Sequence, residues 1–161
     1  MYIPFENSFI TFDSPKSAAK YYNPRNSNIE LIVNGDGCDF VVIKGENITK
    51  IYSIIPKTSD GWKIGTGKDV EMISHGVVDG FFYSVYQYKK TNNYFVRISN
   101  YDGDEITFSD TFKSDFQTIE QYNKQLEKST FTYYTHVTDF DQGYYIEIES
   151  EDGSVFKYNL C

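Results

Sequence analysis

Residues 70–89 read VEMISHGVVDGFFYSVYQYK: two runs, Val70–Val78 and Phe81–Lys89, rich in β-branched and aromatic residues and meeting at Asp79-Gly80. Asp and Gly tolerate the positive φ angles of a tight turn, so this dipeptide between two such runs is the strongest short-range hairpin signal. The same step recurs at Asp36-Gly37, Asp60-Gly61, Asp102-Gly103 and Asp152-Gly153. A chain punctuated this way is antiparallel and built from hairpins.

Outward from that hairpin the period-two pattern continues. Ile29–Val33 and Phe40–Lys44 flank Asn34-Gly35-Asp36-Gly37, and Ile48–Ile55 adds a strand closed by Pro56. Residues 57–68 (KTSDGWKIGTGK) carry three glycines and are expected to form a long loop. Tyr94–Ser99 and Glu105–Ser109 read as a second hairpin around residues 101–104, and Phe131–Val137, Tyr144–Glu149 and Val155–Leu160 as closing strands. Met1–Asp13 reads as one irregular edge strand. Two helices are expected. A short one near 15–22 opens on Ser14-Pro15, a capping residue followed by a proline where its missing N–H costs nothing, and ends at Asn23-Pro24. A longer one near 114–128 rests on the Ser114-x-x-Gln117 spacing and on Phe112, Phe116, Ile119 and Leu126 falling near one face.

The fold class is therefore mainly β (α+β): a strongly bent antiparallel meander sheet or barrel of about ten strands, since sheets of that size curl or close. The 161 residues are expected to form a single domain, 1–161. Such a chain buries roughly 70% of its unfolded surface without needing a metal or disulfide staple. Aromatics make up 18% of it, including 15 Tyr and 13 Phe, which favours sheet. A mean hydropathy of −0.49 and the lack of an apolar run near ~20 residues argue against a membrane protein. The N-terminus MYIPFENSFITFDSP shows no secretory pattern, and the two cysteines, Cys38 and Cys161, lie far apart, so a cytoplasmic setting with free thiols is expected.

The chemistry-bearing residues form no assembled catalytic set. His136-Val137-Thr138 matches one half of the twin His-x-Thr signature of two-histidine phosphoesterases. The other histidine lies in Ser74-His75-Gly76-Val77, with no hydroxyl two residues on, so the pattern fails. Two histidines and two cysteines spread along the chain lack the short spacings of a zinc site. Neither the Asp36/Asp39 loop nor the Asp102/Asp104/Glu105 loop has the ligand order of an EF-hand. Gly65-Thr66-Gly67-Lys68 is too short for a phosphate-binding loop. No cofactor is expected.

Charge is the remaining signal. Residues 1–80 hold 8 Lys/Arg against 10 Asp/Glu, whereas residues 81–161 hold 7 against 13, so a net of −6 out of −8 sits in the second half. That balance repels phosphate backbones and attracts basic proteins. Glu147 and Glu149 share one strand face with Tyr145, while Ile146 and Ile148 point the other way. Glu151 and Asp152 occupy the following turn, Asp139 and Asp141 the preceding one, and Asp102, Asp104 and Glu105 a hairpin that could point to the same end. These ten residues are the candidate partner-binding rim, with tyrosine supplying rigid contact area. The expected function is a non-catalytic protein-binding module, an acidic inhibitor of a basic nucleic-acid-handling enzyme of the immunity or counter-defence kind. Its partner is a basic protein, with no direct nucleic acid and no membrane. The alternative is a β-barrel carrier of a small apolar molecule, and a hydrolase ranks third.

Overall fold

The computed structural model describes residues 9–22, 24, 28–45, 50–64, 70–78, 80–89, 91–100, 105–124, 126–149 and 153–161. It is mostly β, with antiparallel sheets that include a strongly curled half-barrel, and among the described residues it has one α-helix. Among the described residues there are twelve strands, two more than expected. The chain divides into two compact units, Met1–Glu71 and Met72–Cys161.

In the first unit α1 (Pro15–Tyr22) lies where the sequence places it. Ser14 Oγ accepts the Ser17 N–H at 3.1 Å, satisfying one of the amides a helix start leaves open. Four strands follow: β1 (Ile29–Asn34), β2 (Cys38–Lys44), β3 (Lys50–Thr58) and β4 (Gly61–Trp62), in the order β1-β2-β3-β4. Ala18 and Ala19 are fully buried against Val41, Ile43 and Ile55, their small side chains letting α1 approach the sheet closely. Phe12, Ile29, Ile32, Ile51 and Trp62 close the rim of this core. The Trp62 indole N–H donates to the carboxylate of Asp39, which is itself buried, so both polar groups are satisfied inside.

Two sequence expectations change here. Pro56 does not end the third strand but lies inside β3, opposite Cys38. The Lys57 N–H donates to Gly37 O at 2.8 Å, so the ring nitrogen of Pro56 faces away from β2, where no ladder bond is lost. On that side Lys63 N still donates to Pro56 O at 2.8 Å, but Pro56 cannot return the bond, and β4 stops at Trp62. The expected loop over 57–68 is therefore partly a hairpin, β3 turning into β4 at Ser59-Asp60; residues 65–68 lie outside the described set. Residues 1–8 of the expected first strand also lie outside it, and Phe12 forms a single antiparallel bridge with Trp62.

The second unit holds two sheets. Strands β5 (Val70–Val78, entering from the first unit), β6 (Phe81–Tyr88), β7 (Tyr94–Asn100), β9 (Gln117–Asn123) and β10 (Lys128–Val137) form one, in the order β5-β6-β7-β10-β9. Strands β8 (Phe108–Asp110), β11 (Tyr145–Glu149) and β12 (Val155–Asn159) form the other, in the order β12-β11-β8. Their facing sides share one core: Val85, Tyr94, Val96, Ile98, Tyr133 and Val137 meet Ile146, Ile148 and Leu160, with Phe140 and Tyr144 at the corner. Each such side chain contributes about 1.5–3 kcal/mol by leaving water. The hairpin around Asp79-Gly80 is present as β5–β6, and Gly80 has φ +83°.

The helix expected over 114–128 does not exist. Those residues form β9, the turn that follows it, and the start of β10, paired from Gln117↔Tyr134 to Asn123↔Lys128. The cause lies just upstream. The Asp110 carboxylate Oδ1 accepts the N–H groups of Phe112 (3.1 Å) and Ser114 (2.7 Å), and Lys113 adopts φ +53°. These bonds hold residues 110–114 in a turn from which the chain enters β9. Along β9 the half-buried Ile119, Gln121 and Asn123 alternate with exposed Thr118, Glu120 and Tyr122. An isolated helix of this length is marginal, so seven residues of ladder along β10 prevail.

The hairpin expected between 94–99 and 105–109 is also absent. β7 pairs with β6 and β10, whereas β8 pairs with β11 in the other sheet. The chain crosses between sheets here, driven by Phe108, which stacks edge-on against Phe116 (4.7 Å) and Tyr133 (4.9 Å).

Gly61 has φ +125°, and a Cβ there would sit 2.5 Å from Phe12 O. Gly61→Ala is expected to cost about 2–3 kcal/mol in chemical denaturation, by strain plus loss of the Phe12–Trp62 bridge. Gly37→Ala, at φ +72° with open space around it, is expected to cost about 1 kcal/mol. Equal losses would show that the close approach of Phe12 does not matter. Tyr144→Phe, which strips the Asp110 carboxylate of a buried donor at 2.9 Å, is expected to cost about 1–3 kcal/mol in the same assay.

Candidate functional site

β11 is the central strand of its sheet, so the outward side chains form a grid. Ile146 and Ile148 are buried, and Tyr145, Glu147 and Glu149 face out, as their spacing requires. Across the sheet Glu149 sits beside Val155, Glu147 lies between Ser109 and Lys157, and Tyr145 lies beside Asn159. Thr107 joins the Glu149 end, its carbonyl accepting the Glu149 N–H at 3.4 Å. Thr107, Phe108, Ser109, Glu147, Glu149 and Val155 line an open groove of about 240 Å³.

Two features set the electrostatics of this face. The Lys157 ammonium, cross-strand from Glu147, sits 3.3 Å from the centroid of the Tyr145 ring. A cation over an aromatic face is attracted by the ring quadrupole, and this one is drawn towards the Tyr145 end. Among the described residues, the side chains of Glu147 and Glu149 have no hydrogen-bond or ion-pair partner; the single ion pair joins Lys50 to Glu30 in the first unit. The two carboxylates are ~7 Å apart, being two residues apart on one strand. Both rise from the central strand of the groove, whereas glycoside hydrolysis needs two carboxyl groups flanking the scissile bond.

The other expected rim residues separate. Glu105 is exposed three residues before β8, at the Glu149 end of the sheet. Asp139 and Asp141 lie at the opposite end, before β11 begins, and β11 alone spans ~14 Å between Tyr145 and Glu149. They are also engaged there: Asp139 accepts from Thr138 Oγ1 at 3.1 Å, and Asp141 accepts from the Tyr94 hydroxyl at 2.7 Å. Burial, and then the Asp141 carboxylate, push the Tyr94 hydroxyl above its ordinary range, so it stays a donor. Asp102, Asp104, Glu151 and Asp152 lie outside the described residues. The groove thus joins Glu147, Glu149 and nearby Glu105 to residues that sequence alone did not single out, Thr107, Ser109 and Val155, with Lys157 cross-strand from Glu147. Pairing 105–109 with 94–99 hid Thr107 and Ser109, because only the β8–β11 ladder brings their strand beside Glu147 and Glu149.

The histidines do not meet. β6 and β7 lie between β5, which carries exposed His75, and β10, which carries His136. Three strand spacings amount to about 14 Å along the sheet. His136 Nε2 lies 2.8 Å from Asn93 Oδ1, and its ring lies 5.1 Å from Phe95. The amide oxygen is an acceptor, so Nε2 carries the hydrogen. Among the described residues no three His, Cys, Asp or Glu side chains cluster as a metal site requires, and no helix is long and apolar enough to cross a membrane.

Neither cysteine has a nucleophile's surroundings. Burial, followed by the charges of Asp39 and Asp36, pushes the Cys38 thiol from 9.0 up to about 12. Cys161 is exposed at the chain end. No protein family matches the chain, and neither the curated proteins nor the solved structures hold a match to it.

A thiol reagent such as Ellman's is expected to titrate one thiol, Cys161, in the native protein at pH 8 and two in denaturant. Because the folded state holds the Cys38 proton more tightly than the unfolded chain, its contribution to stability is complete below pH 9 and is lost as pH rises towards 12. The Cys38→Ser variant should show a shallower loss of stability over that window. Two rapid native equivalents at pH 8 would show that Cys38 is open to solvent.

Proposed function

We propose that the protein is a non-catalytic binding module whose acidic face docks a basic protein, and that the partner is an enzyme that handles nucleic acid. The observation that carries this reading is the pair of outward carboxylates, Glu147 and Glu149, with no partner among the described residues and an open groove around them. Ionised carboxylates left unpaired beside apolar surface gain most from cations brought by another molecule. A groove that binds nucleic acid is lined by Lys and Arg, so a surface of opposite sign can occupy it and compete with phosphates. The partner classes that fit are the targets of immunity and counter-defence inhibitors. The separated histidines and the inert Cys38 give the hydrolase alternative nothing to work with. This outward groove, at about 240 Å³, is below the ~300–1,000 Å³ typical of small-molecule sites.

Affinity purification from the native host at low and at high ionic strength tests this. A basic nucleic-acid-handling enzyme should be retained at low salt, released at high salt, and displaced by its own nucleic-acid substrate. The double variant Glu147→Lys with Glu149→Lys should lower affinity for that enzyme by at least about 10-fold. Its free energy of unfolding should stay within about 0.5 kcal/mol of wild type, since both positions face out. Retention that ignores both salt and charge reversal would sink the proposal.

A further inference from the structure

We propose that the partner engages this face by adding an extended segment to the outer edge of β12, with alternating basic and apolar side chains; this rests on the function proposed above. The ladder fixes which groups that edge offers. Leu160 N donates to Tyr144 O at 3.0 Å, so the backbone groups of Phe156 and Tyr158 turn towards β11, while Leu160 O accepts from the Ser74 hydroxyl of β5 at 2.8 Å. Those of Val155, Lys157 and Asn159 consequently point away from the sheet. Among the described residues no strand pairs with that side, because β12 ends the order β12-β11-β8. An open edge of this kind is a template for another chain.

The side chains of β12 define what that chain must be. Val155 is 61% and Phe156 47% exposed, on opposite faces of the strand. Apolar surface on both faces of a terminal strand is what an added strand would cover. On one face an incoming residue meets Val155 and, one strand further, Glu147 and Glu149. A guanidinium or ammonium on a long stem can cross Val155 with its methylenes and place its charge on the carboxylates. On the other face the neighbour is Phe156, which calls for an apolar side chain. Successive residues of a strand face opposite ways, so the segment must alternate basic and apolar. Lys157 would ordinarily guard such an edge, since a lysine there deters pairing. Here its ammonium lies over the Tyr145 ring, inward across the sheet, which leaves the edge amides uncovered.

The probe is a blocked seven-residue peptide of alternating Arg and Val, titrated to millimolar concentration against isotope-labelled protein in low salt, with amide hydrogen exchange read residue by residue. Exchange at Val155, Lys157 and Asn159 should slow at least tenfold, while Phe156 and Tyr158, already bonded to β11, should change little. The same peptide with Glu in place of Arg should give no protection. Glu147→Gln with Glu149→Gln should weaken the effect at least tenfold. Lys157→Pro, which removes one outward donor, should abolish it while leaving the Ile146 and Ile148 signals in place. Shifted Glu147 and Glu149 signals without edge protection would overturn strand addition while leaving the acidic docking face standing. No response at either would overturn it too, and the host purification then judges the broader function by itself.

Discussion

The carboxylate of Asp110 is the constraint on which the second unit turns. It is buried, accepts two backbone amides through one oxygen, and accepts the Tyr144 hydroxyl at 2.9 Å through the other. A buried carboxylate is tolerated only when its lone pairs are filled, and here each bond fixes a different element. The amides of Phe112 and Ser114 shape the turn that leads to β9. Tyr144 sits at the entry to β11 and is wholly buried, and both burial and Asp110 drive its hydroxyl far above its ordinary range, so it never ceases to donate. Asp110 itself ends β8, opposite Ile146. One side chain therefore sets the register between β8 and β11.

From that register the outward face follows. With Ile146 opposite Asp110, Glu147 must lie beside Ser109, and Glu149 beside the Thr107 carbonyl. A slip of one residue would send both isoleucines into solvent and both glutamates into the core, a change the core could not tolerate. Exposure of the two carboxylates is thus enforced from beneath by Ile146 and Ile148. Charge alone would not have held them there, because neither has an internal partner among the described residues.

Much of this was legible in the residues themselves. Three Asp-Gly steps located hairpins because the required φ angles admit few other residues, Gly37, Gly80 and Gly153 adopting +72°, +83° and +80°, whereas the hairpin expected around Asp102-Gly103 is absent. The α1 helix was legible because Ser14, Pro15 and the small Ala18 and Ala19 agree with one another and with a sheet beneath. The outward set of β11 followed from strict alternation. What could not be read was which strand pairs with which. Residues 105–109 and 117–123 have ambiguous local preferences, and their conformation depends on partners far along the chain. Pro56 misled for a related reason: a proline interrupts a strand only on the side where its missing donor is needed.

Sequence alone determined that the chain folds antiparallel, that its negative charge concentrates in residues 81–161, and that Glu147 and Glu149 share a face, because these depend on turn angles, composition and the two-residue repeat of a strand. Tertiary structure decided that β8 leaves its expected partner for β11, that Asp139 and Asp141 part from Glu149, and that β12 presents an open edge beside the carboxylates. Those outcomes depend on long-range burial of Phe108, Tyr133 and Tyr144 and on the single buried carboxylate that binds them into register, and no local pattern encodes a contact between residues so far apart in the chain.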